Sequence, residues 1–512
     1  MVHSVVPGFP DKKGTGEAAL AGSSEDQPRG VTDTMHRELT KALRSTDRTS
    51  WKTVAIEFGR DTIEIQVPSG CETLTMDEAP PIIASRGEIR EALACPIQSP
   101  NLPSIIEAKK KALENLTVSI AVSDITRPVP YKGETGILGP LLEVLKGCGI
   151  RRDHVTIIVG TGTHRPSTTQ EKVKMFGQDV VNHYRIVDHD ANDESLLEHL
   201  GMTESGTDVY VNRVYYQADV RIITGLVETH FMAGVSGGRK AICPGLVDHR
   251  TIKRFHGPEF LESPYATNLV LDKNPCHKEA LQVARMVKTD FSVNVILDRH
   301  MRLAGVFAGD LEGSFEKAVE AVRRYVEIPL LHPFDIVLTH SGYTGRNHYQ
   351  TAKAAVGVLP AVKENGTIII AANNRDADPV GGEEYRTLMH LLKLQGPQRY
   401  VEMLKAPFWR FTRDQWEPEV WARVLRKVGN RGLIYCSPEI SSRDYSLLPG
   451  LSGWEFLSRG ESRGSRREIA KRMVQSALIW SYHCLRARGE APSLAIISEG
   501  PYAVPTLPQE RR

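Results

Sequence analysis

The sequence predicts an α/β fold, with two α/β lobes, an active-site cleft between them and a flexible N-terminal extension. From Trp51 onward, short β-branched runs alternate with helical stretches, the pattern of strands buried beneath helices. At 512 residues, with 41% hydrophobic and 25% charged, the chain is long enough for two substantial domains rather than one core. A proline-marked connection, Ile328-Pro329-Leu330-Leu331-His332-Pro333, reads as the join between two lobes.

Taken in order, residues 1–50 are rich in Gly, Ser, Asp, Lys and Glu without a sustained apolar period, so they read as a disordered extension in which 35–43 could form a short helix. The runs 117–122, 155–159, 221–224, 335–339 and 367–371 read as buried strands. Residues 51–332 form the expected N-terminal lobe and 333–455 the C-terminal lobe. Beyond a loop-like stretch after Leu447, a helix at 468–483 and an apolar run at 494–498 place 456–500 as a segment returning to the first lobe. Residues 501–512, with Pro501, Pro505 and Pro508, read as a loose tail.

Composition narrows the function. Lys+Arg at 64 nearly balances Asp+Glu at 62, so the whole-chain charge carries no footprint for nucleic acid or an anionic membrane. No run approaches the roughly 18 apolar residues of a membrane span, and residues 1–20 lack a secretory apolar core, which leads to the expectation of a cytoplasmic protein. The seven cysteines are scattered and never form a CxxC pair, against a disulfide framework or a structural zinc site.

Chemistry concentrates in 225–256, GLVETHFMAGVSGGRKAICPGLVDHRTIKRFH. This segment follows the strand-like run 219–224, and α/β proteins place ligands in such loops. The short residues Ala233, Gly234, Ser236, Gly237 and Gly238 would let backbone N–H groups approach a phosphate, ahead of a helix N-terminus that favours an anion. Gly238-Arg239-Lys240-Ala241 lacks the Ser or Thr of a P-loop, which disfavours ATP hydrolysis. Two more strand-end loops carry charge on proline-stiffened backbone: 123–130 with Asp124, Thr126 and Arg127, and 160–166 with His164. In the second lobe, Tyr349 and Lys353 lie four apart and share one helix face beside Gln350.

In these motifs the chain resembles the nickel-pincer nucleotide-dependent lactate racemase family, whose members racemise or epimerise α-hydroxy acids. The resemblance covers roughly residues 51–490. It rests on DxTRPxP at Asp124–Pro130, GTGxHRP at His164, ETHFxAGxSGGRK at His230 and Lys240, KRFH at His256, and YQxxK at Tyr349, Gln350 and Lys353. It implies a cofactor, a pyridinium-3-thioamide-5-thiocarboxylic acid mononucleotide holding nickel, tethered covalently to Lys240. His256 would be the protein ligand to nickel, and His164 and His230 the two bases. Arg127, Tyr349, Gln350, Lys353 and Trp416 of the Asp414-Gln415-Trp416 element would hold the substrate. Asp124, Thr126, Ser236, Gly237 and Gly238 would contact the cofactor. The implied partners are a small 2-hydroxy acid and the cofactor-synthesis enzymes. A polar loop, 373–382, departs from what a small lactate site needs, and it suggests a larger or more polar hydroxy acid.

Singly, each of these residues has an ordinary role as a loop histidine, a solvated lysine or a surface ion pair. Two other readings use the same residues. A divalent-metal hydrolase would employ His164, His230 and His256, without HExxH or another short metal signature and without a use for Lys240. A non-catalytic nickel- or cofactor-binding protein would need Lys240 and His256 but neither the other two histidines nor Arg127.

Overall fold

Two six-stranded sheets organise the chain. The computed structural model describes residues 31–508, apart from residues 80, 82–84, 344, 459, 488 and 490. In the first sheet the strand order is Leu303–Gly309, Phe291–Leu297, Val220–Leu226, Val118–Ser123, Val155–Gly160 and Arg185–Asp188. All neighbours are parallel except the edge pair Phe291–Leu297 and Leu303–Gly309. The central strands VSIAVS and VTIIVG are buried along almost their whole length. Such unbroken apolar runs are stable only where both faces of a sheet are covered. One face packs on Leu138, Leu141 and Leu145 of the helix Leu138–Gly147, the other on a larger cluster containing Phe231, Ile252 and Phe255.

Because Val220–Leu226, Val118–Ser123 and Val155–Gly160 are parallel neighbours, their three outgoing loops emerge side by side. Those loops hold residues 227–238, 124–130 and 161–166. The sequence motifs are therefore gathered by topology at the carboxyl edge of one sheet, where open α/β sheets bind ligands.

The second sheet is parallel throughout, ordered Leu451–Ser452, Leu433–Cys436, Val362–Ala371, Phe334–His340, Leu494–Ile497 and Glu72–Leu74. Its central strand Phe334–His340 leads through a glycine-containing loop into the helix His348–Gly357, which carries Tyr349, Gln350 and Lys353. Residues Phe231 and Phe255 of the first lobe share one apolar cluster with Tyr385 and Trp421 of the second. This common core sets the two lobes against each other.

All five expected strands are present, at Val118–Ser123, Val155–Gly160, Val220–Leu226, Phe334–His340 and Val362–Ala371. The lobe boundaries differ from the sequence reading. Residues 51–74 were expected in the first lobe. Instead the hairpin Trp51–Phe58 with Asp61–Pro68 buries Ile56, Phe58, Ile63, Ile65 and Val67 in the second-lobe core with Ile336 and Leu338, and Glu72–Leu74 completes the second sheet. The segment 456–500 does not return to the first lobe: the helix Arg466–Arg486 covers the second sheet and Leu494–Ile497 pairs directly with Phe334–His340. Within the expected extension, Val31–Ser45 is a helix whose Leu39 and Ala42 are buried against that same region. In the expected loose tail, Val504–Thr506 pairs with Glu327–Pro329, and residues 509–512 lie outside the described residues. The sheet reassignments have one cause: strand partners far apart in sequence leave no local signal of which sheet they join. The part of the extension before residue 31 lies outside the described residues.

Candidate active site

Asp124 is the first fixed point. Its carboxylate is 6% exposed; Oδ1 accepts from the Thr126 hydroxyl (2.5 Å) and N–H (3.1 Å), and Oδ2 lies 2.6 Å from His164 Nδ1. Burial opposes ionisation, yet the bonds from His164 and Thr126 hold the carboxyl below the usual carboxylate range. A carboxylate at Nδ1 makes that nitrogen the protonated one, so the exposed His164 ring has Nε2 as its free acceptor. Thr126 thus acts on Asp124, and Asp124 orients a histidine.

His230 sits in a two-stranded hairpin, Thr229–His230 against Gly234–Val235. Its Nδ1 accepts from the N–H groups of Met232 (3.2 Å) and Ala233 (3.3 Å), so its proton is on Nε2. Burial first, then the charges of Lys240, Arg127 and Lys353, hold this imidazole well below its ordinary pKa. His256 closes the helix His249–Phe255, whose N-terminus is capped by Asp248. Its Nδ1–H donates to the Ile252 carbonyl (3.1 Å), leaving Nε2 for a ligand. Burial and the charge of Lys240 bring His256 down to about 3.

Lys240 lies over the Phe255 ring, its Nζ 4.8 Å from the centroid. Burial, with Arg127 and Arg239 adding like charge, lowers its amine to about 7. The same electrostatic field therefore links Lys240 to His230 and His256, and His256 to His164. The three imidazoles and the amine thus lie within electrostatic reach of one another.

From the second lobe, Trp416 stacks obliquely on His256 with centroids 4.8 Å apart and donates its indole N–H to Tyr349 Oη (3.1 Å). Tyr349 Oη is also 3.4 Å from Asp414 Oδ1. Lys353 Nζ donates to Gln350 Oε1 at 3.0 Å. Burial and Arg127 lower the Lys353 amine, while Glu417 and Glu228 act in the opposite sense. The second lobe thus meets the first through an aromatic contact, with the partly buried Lys353 in the field of Arg127 and Glu228.

In the glycine turn, Ser236 and Gly238 are bonded within the chain. The Ser236 N–H donates to Glu228 O (2.8 Å) and its hydroxyl to Leu226 O (2.8 Å), while the Gly238 N–H donates to Asn294 Oδ1 (2.9 Å). The stretch Gly238–Ala241 is a single 3-10 turn, not the start of an α-helix. The glycines serve packing: at Gly237, with φ +74°, a Cβ would stand 2.6 Å from Val227 Cγ2. Loop 373–382 makes ion pairs and backbone bonds with its surroundings. Asp376 pairs with Arg346 and Asp378 with Arg386, and the carbonyls of Pro379 and Val380 accept from the N–H groups of His348 and Tyr349. Its two aspartates are thus paired, and it props the helix that carries Tyr349.

Two carboxylates were missed. Glu228 opens the ETHF element and forms an ion pair with Arg127; its place in that element was the available signal. Glu417 follows Trp416, is 2% exposed, and burial pushes its carboxyl up to about 8. Nothing in the sequence marks it, because burial is a tertiary property.

The fold is that of a two-lobed α/β protein, and this cluster lies where the lobes meet. The lactate racemase N-terminal domain family matches residues 58–268 and the lactate racemase C-terminal domain family residues 331–441. The chain is 34% identical over 346 residues to the lactate racemase of Lactiplantibacillus plantarum, covering 67% of this chain and 78% of that protein. It is 34% identical over 393 residues to that of Thermoanaerobacterium thermosaccharolyticum, covering 76% and 86%. The lactate racemase apoprotein structure from T. thermosaccharolyticum superposes with a TM-score of 0.75 at 26% identity, over 89% of this chain and all (100%) of that one. A Thermotoga maritima protein shares the fold, with a TM-score of 0.57 at 17% identity, over 84% of this chain and 99% of that one. The chain belongs to the lactate racemase family, and it is an isomerase. Among the described residues, no helix is long and apolar enough to cross a membrane.

Proposed function

We propose that this enzyme racemises lactate or a closely related 2-hydroxy acid, using a nickel-pincer nucleotide tethered to Lys240. The observation that carries the reading is the clustering of a depressed amine beside Phe255, an imidazole whose Nε2 is left for a ligand beside Trp416, and two further imidazoles within their electrostatic reach. The residues present suit that group. An amine with a pKa near 7 is a competent nucleophile at neutral pH, as a tether requires. His256 offers one nitrogen, and among the described residues no group of three His, Cys, Asp or Glu side chains could hold a metal. A bound ion would then draw its other donors from the nucleotide, which suits nickel and leaves the three-histidine hydrolase without a ligand set. The chemistry such a group supplies when bound is reversible acceptance of hydride from the substrate Cα.

The chain's own residues handle protons and position. Arg127 holds the substrate carboxylate through a charge-assisted fork. His164, with Nδ1–H committed to Asp124, accepts the hydroxyl proton at Nε2. His230 stands across the cleft and presents Nε2–H to the substrate oxygen. It serves as the base for the opposite isomer once its ring releases the two long backbone bonds at Nδ1. Lys353, Gln350, Tyr349 and Trp416 cover the substrate from the second lobe and exclude water. The carrier reading leaves Asp124, His164 and Arg127 without work.

The test is intact mass and metal analysis of protein made in a host with the cofactor-synthesis enzymes, together with a lactate racemisation assay. The reading expects a Lys240 adduct, nickel near one per chain and racemisation. Lys240→Ala should lose all three, while His164→Ala should keep adduct and nickel and lose turnover by a factor of about 100 or more. Metal without an adduct would overturn the reading in favour of a hydrolase, and an adduct without exchange at Cα in favour of a carrier.

A further inference from the structure

Arg127, the group assigned to the substrate carboxylate, already has a carboxylate partner within the chain: its Nη1 is bonded to Glu228. The backbone of Glu228 is pinned on both sides by one residue. Its N–H donates to the Ser236 hydroxyl (3.2 Å) and its carbonyl accepts the Ser236 N–H (2.8 Å). The hairpin carrying His230 begins at the next residue, so the fold that places this histidine also fixes the direction of the Glu228 side chain. Across the cleft, Lys353 responds to the charges of both Arg127 and Glu228. Glu228 therefore stands at the corner where cations from the two lobes meet. Neither the glutamate nor the arginine is deeply buried, their side chains being 37% and 34% exposed, so both are open to a ligand entering the cleft. Among the described residues, the other side-chain N–H groups of Arg127 have no protein partner.

Resting on the racemase reading above, we propose that Glu228 is a positioning and specificity-determining residue: it holds one edge of the Arg127 guanidinium so that the other edge takes the substrate carboxylate, and its own charge rejects a second carboxylate. A planar guanidinium bonded at one nitrogen is fixed in rotation, which aims its remaining N–H groups. A hydroxy acid with one carboxylate fills the open edge. A hydroxy dicarboxylate brings a second anion toward the same pair of cations, where it meets Glu228. Discrimination by a built-in like charge is the repulsive half of specificity. The carboxylate of Glu228 thus stands in for the anion that the site is built to exclude.

The experiment compares cofactor-loaded wild type, Glu228→Gln and Glu228→Asp on lactate and on malate, which adds a second carboxylate, reading kcat and KM for each. Wild type should favour lactate. In Glu228→Gln the malate-to-lactate ratio of kcat/KM should rise at least about tenfold, whereas Glu228→Asp, which keeps the charge, should keep the wild-type ratio. Equal loss on both substrates in Glu228→Gln, or an unchanged ratio, would overturn the proposal, since a merely structural glutamate affects both alike. A measurement on wild type alone guards against a variant that does not fold. Pyruvate should inhibit at least about tenfold more tightly than oxaloacetate, and equal inhibition would overturn the proposal too. Loaded wild type with no lactate racemisation would sink the racemase reading itself, whereas active enzyme with an unchanged ratio would sink the role of Glu228 alone.

Discussion

Lys240 shows how far a side chain's chemistry departs from its name. In the sequence it follows two glycines and an arginine and has the look of a solvated cation. In the fold its neighbour Arg239 is 1% exposed, without a carboxylate partner among the described residues, its guanidinium over Phe315 and bonded to the carbonyls of Ala233 (2.8 Å) and Gly237 (3.3 Å). Burial, this charge and Arg127 together lower the Lys240 amine from 10.5 to about 7. The unfolded chain then holds more protons than the fold between about 7 and 10.5, so this group makes stability rise with pH across that window. Below about 7 both states carry the charge and the burial penalty is fully present. Acylation of unloaded protein over a pH series, with Lys240 followed by peptide mass mapping, should reach half its maximal rate near pH 7. A midpoint close to that of ordinary lysines would place the amine in water and remove the basis for a tether.

The decisive element is the hairpin and turn from Thr229 to Ala241. It fixes His230 through two backbone N–H groups, Glu228 through Ser236, and Lys240 through a 3-10 turn. Its glycines are needed for close approach. Gly237 has φ +74° and lies against Val227 and the Leu226 carbonyl, so Gly237→Ala should cost about 1–3 kcal/mol. Thermal unfolding should show a lower midpoint, and adduct formation at Lys240 should fall with it; an unchanged melt would mean that the turn yields. Sequence reasoning found this segment by its glycines and charged residues. A glycine-rich stretch is compatible with a phosphate cradle and with tight packing, and only the partners of its N–H groups separate the two.

Across the whole molecule, the chain's two ends build one lobe. Glu72–Leu74 and Leu494–Ile497 are adjacent strands of the second sheet, and the helix Val31–Ser45 seals the same side through Leu39, 3% exposed, and Ala42. Leu39→Ala should therefore destabilise the protein by about 2–5 kcal/mol in urea unfolding. No shift in the denaturation midpoint would return this helix to a dispensable extension. The cleft itself is a whole-molecule property, because Trp416 reaches His256 and Lys353 meets the field of Arg127 only when the lobes share their apolar core.

By itself the sequence determined the α/β class, the five buried strands and the loops bearing Asp124, His164, His230, Lys240 and His256, because strand burial and loop chemistry are written in short contiguous runs. Tertiary structure alone decided which sheet the termini join, which partners Ser236 and Gly238 bond, that Glu228 pairs with Arg127, and that Glu417 is buried. Those outcomes depend on which distant segments come into contact, and on the desolvation and charge that the contact imposes. Neither is encoded in any local stretch of residues.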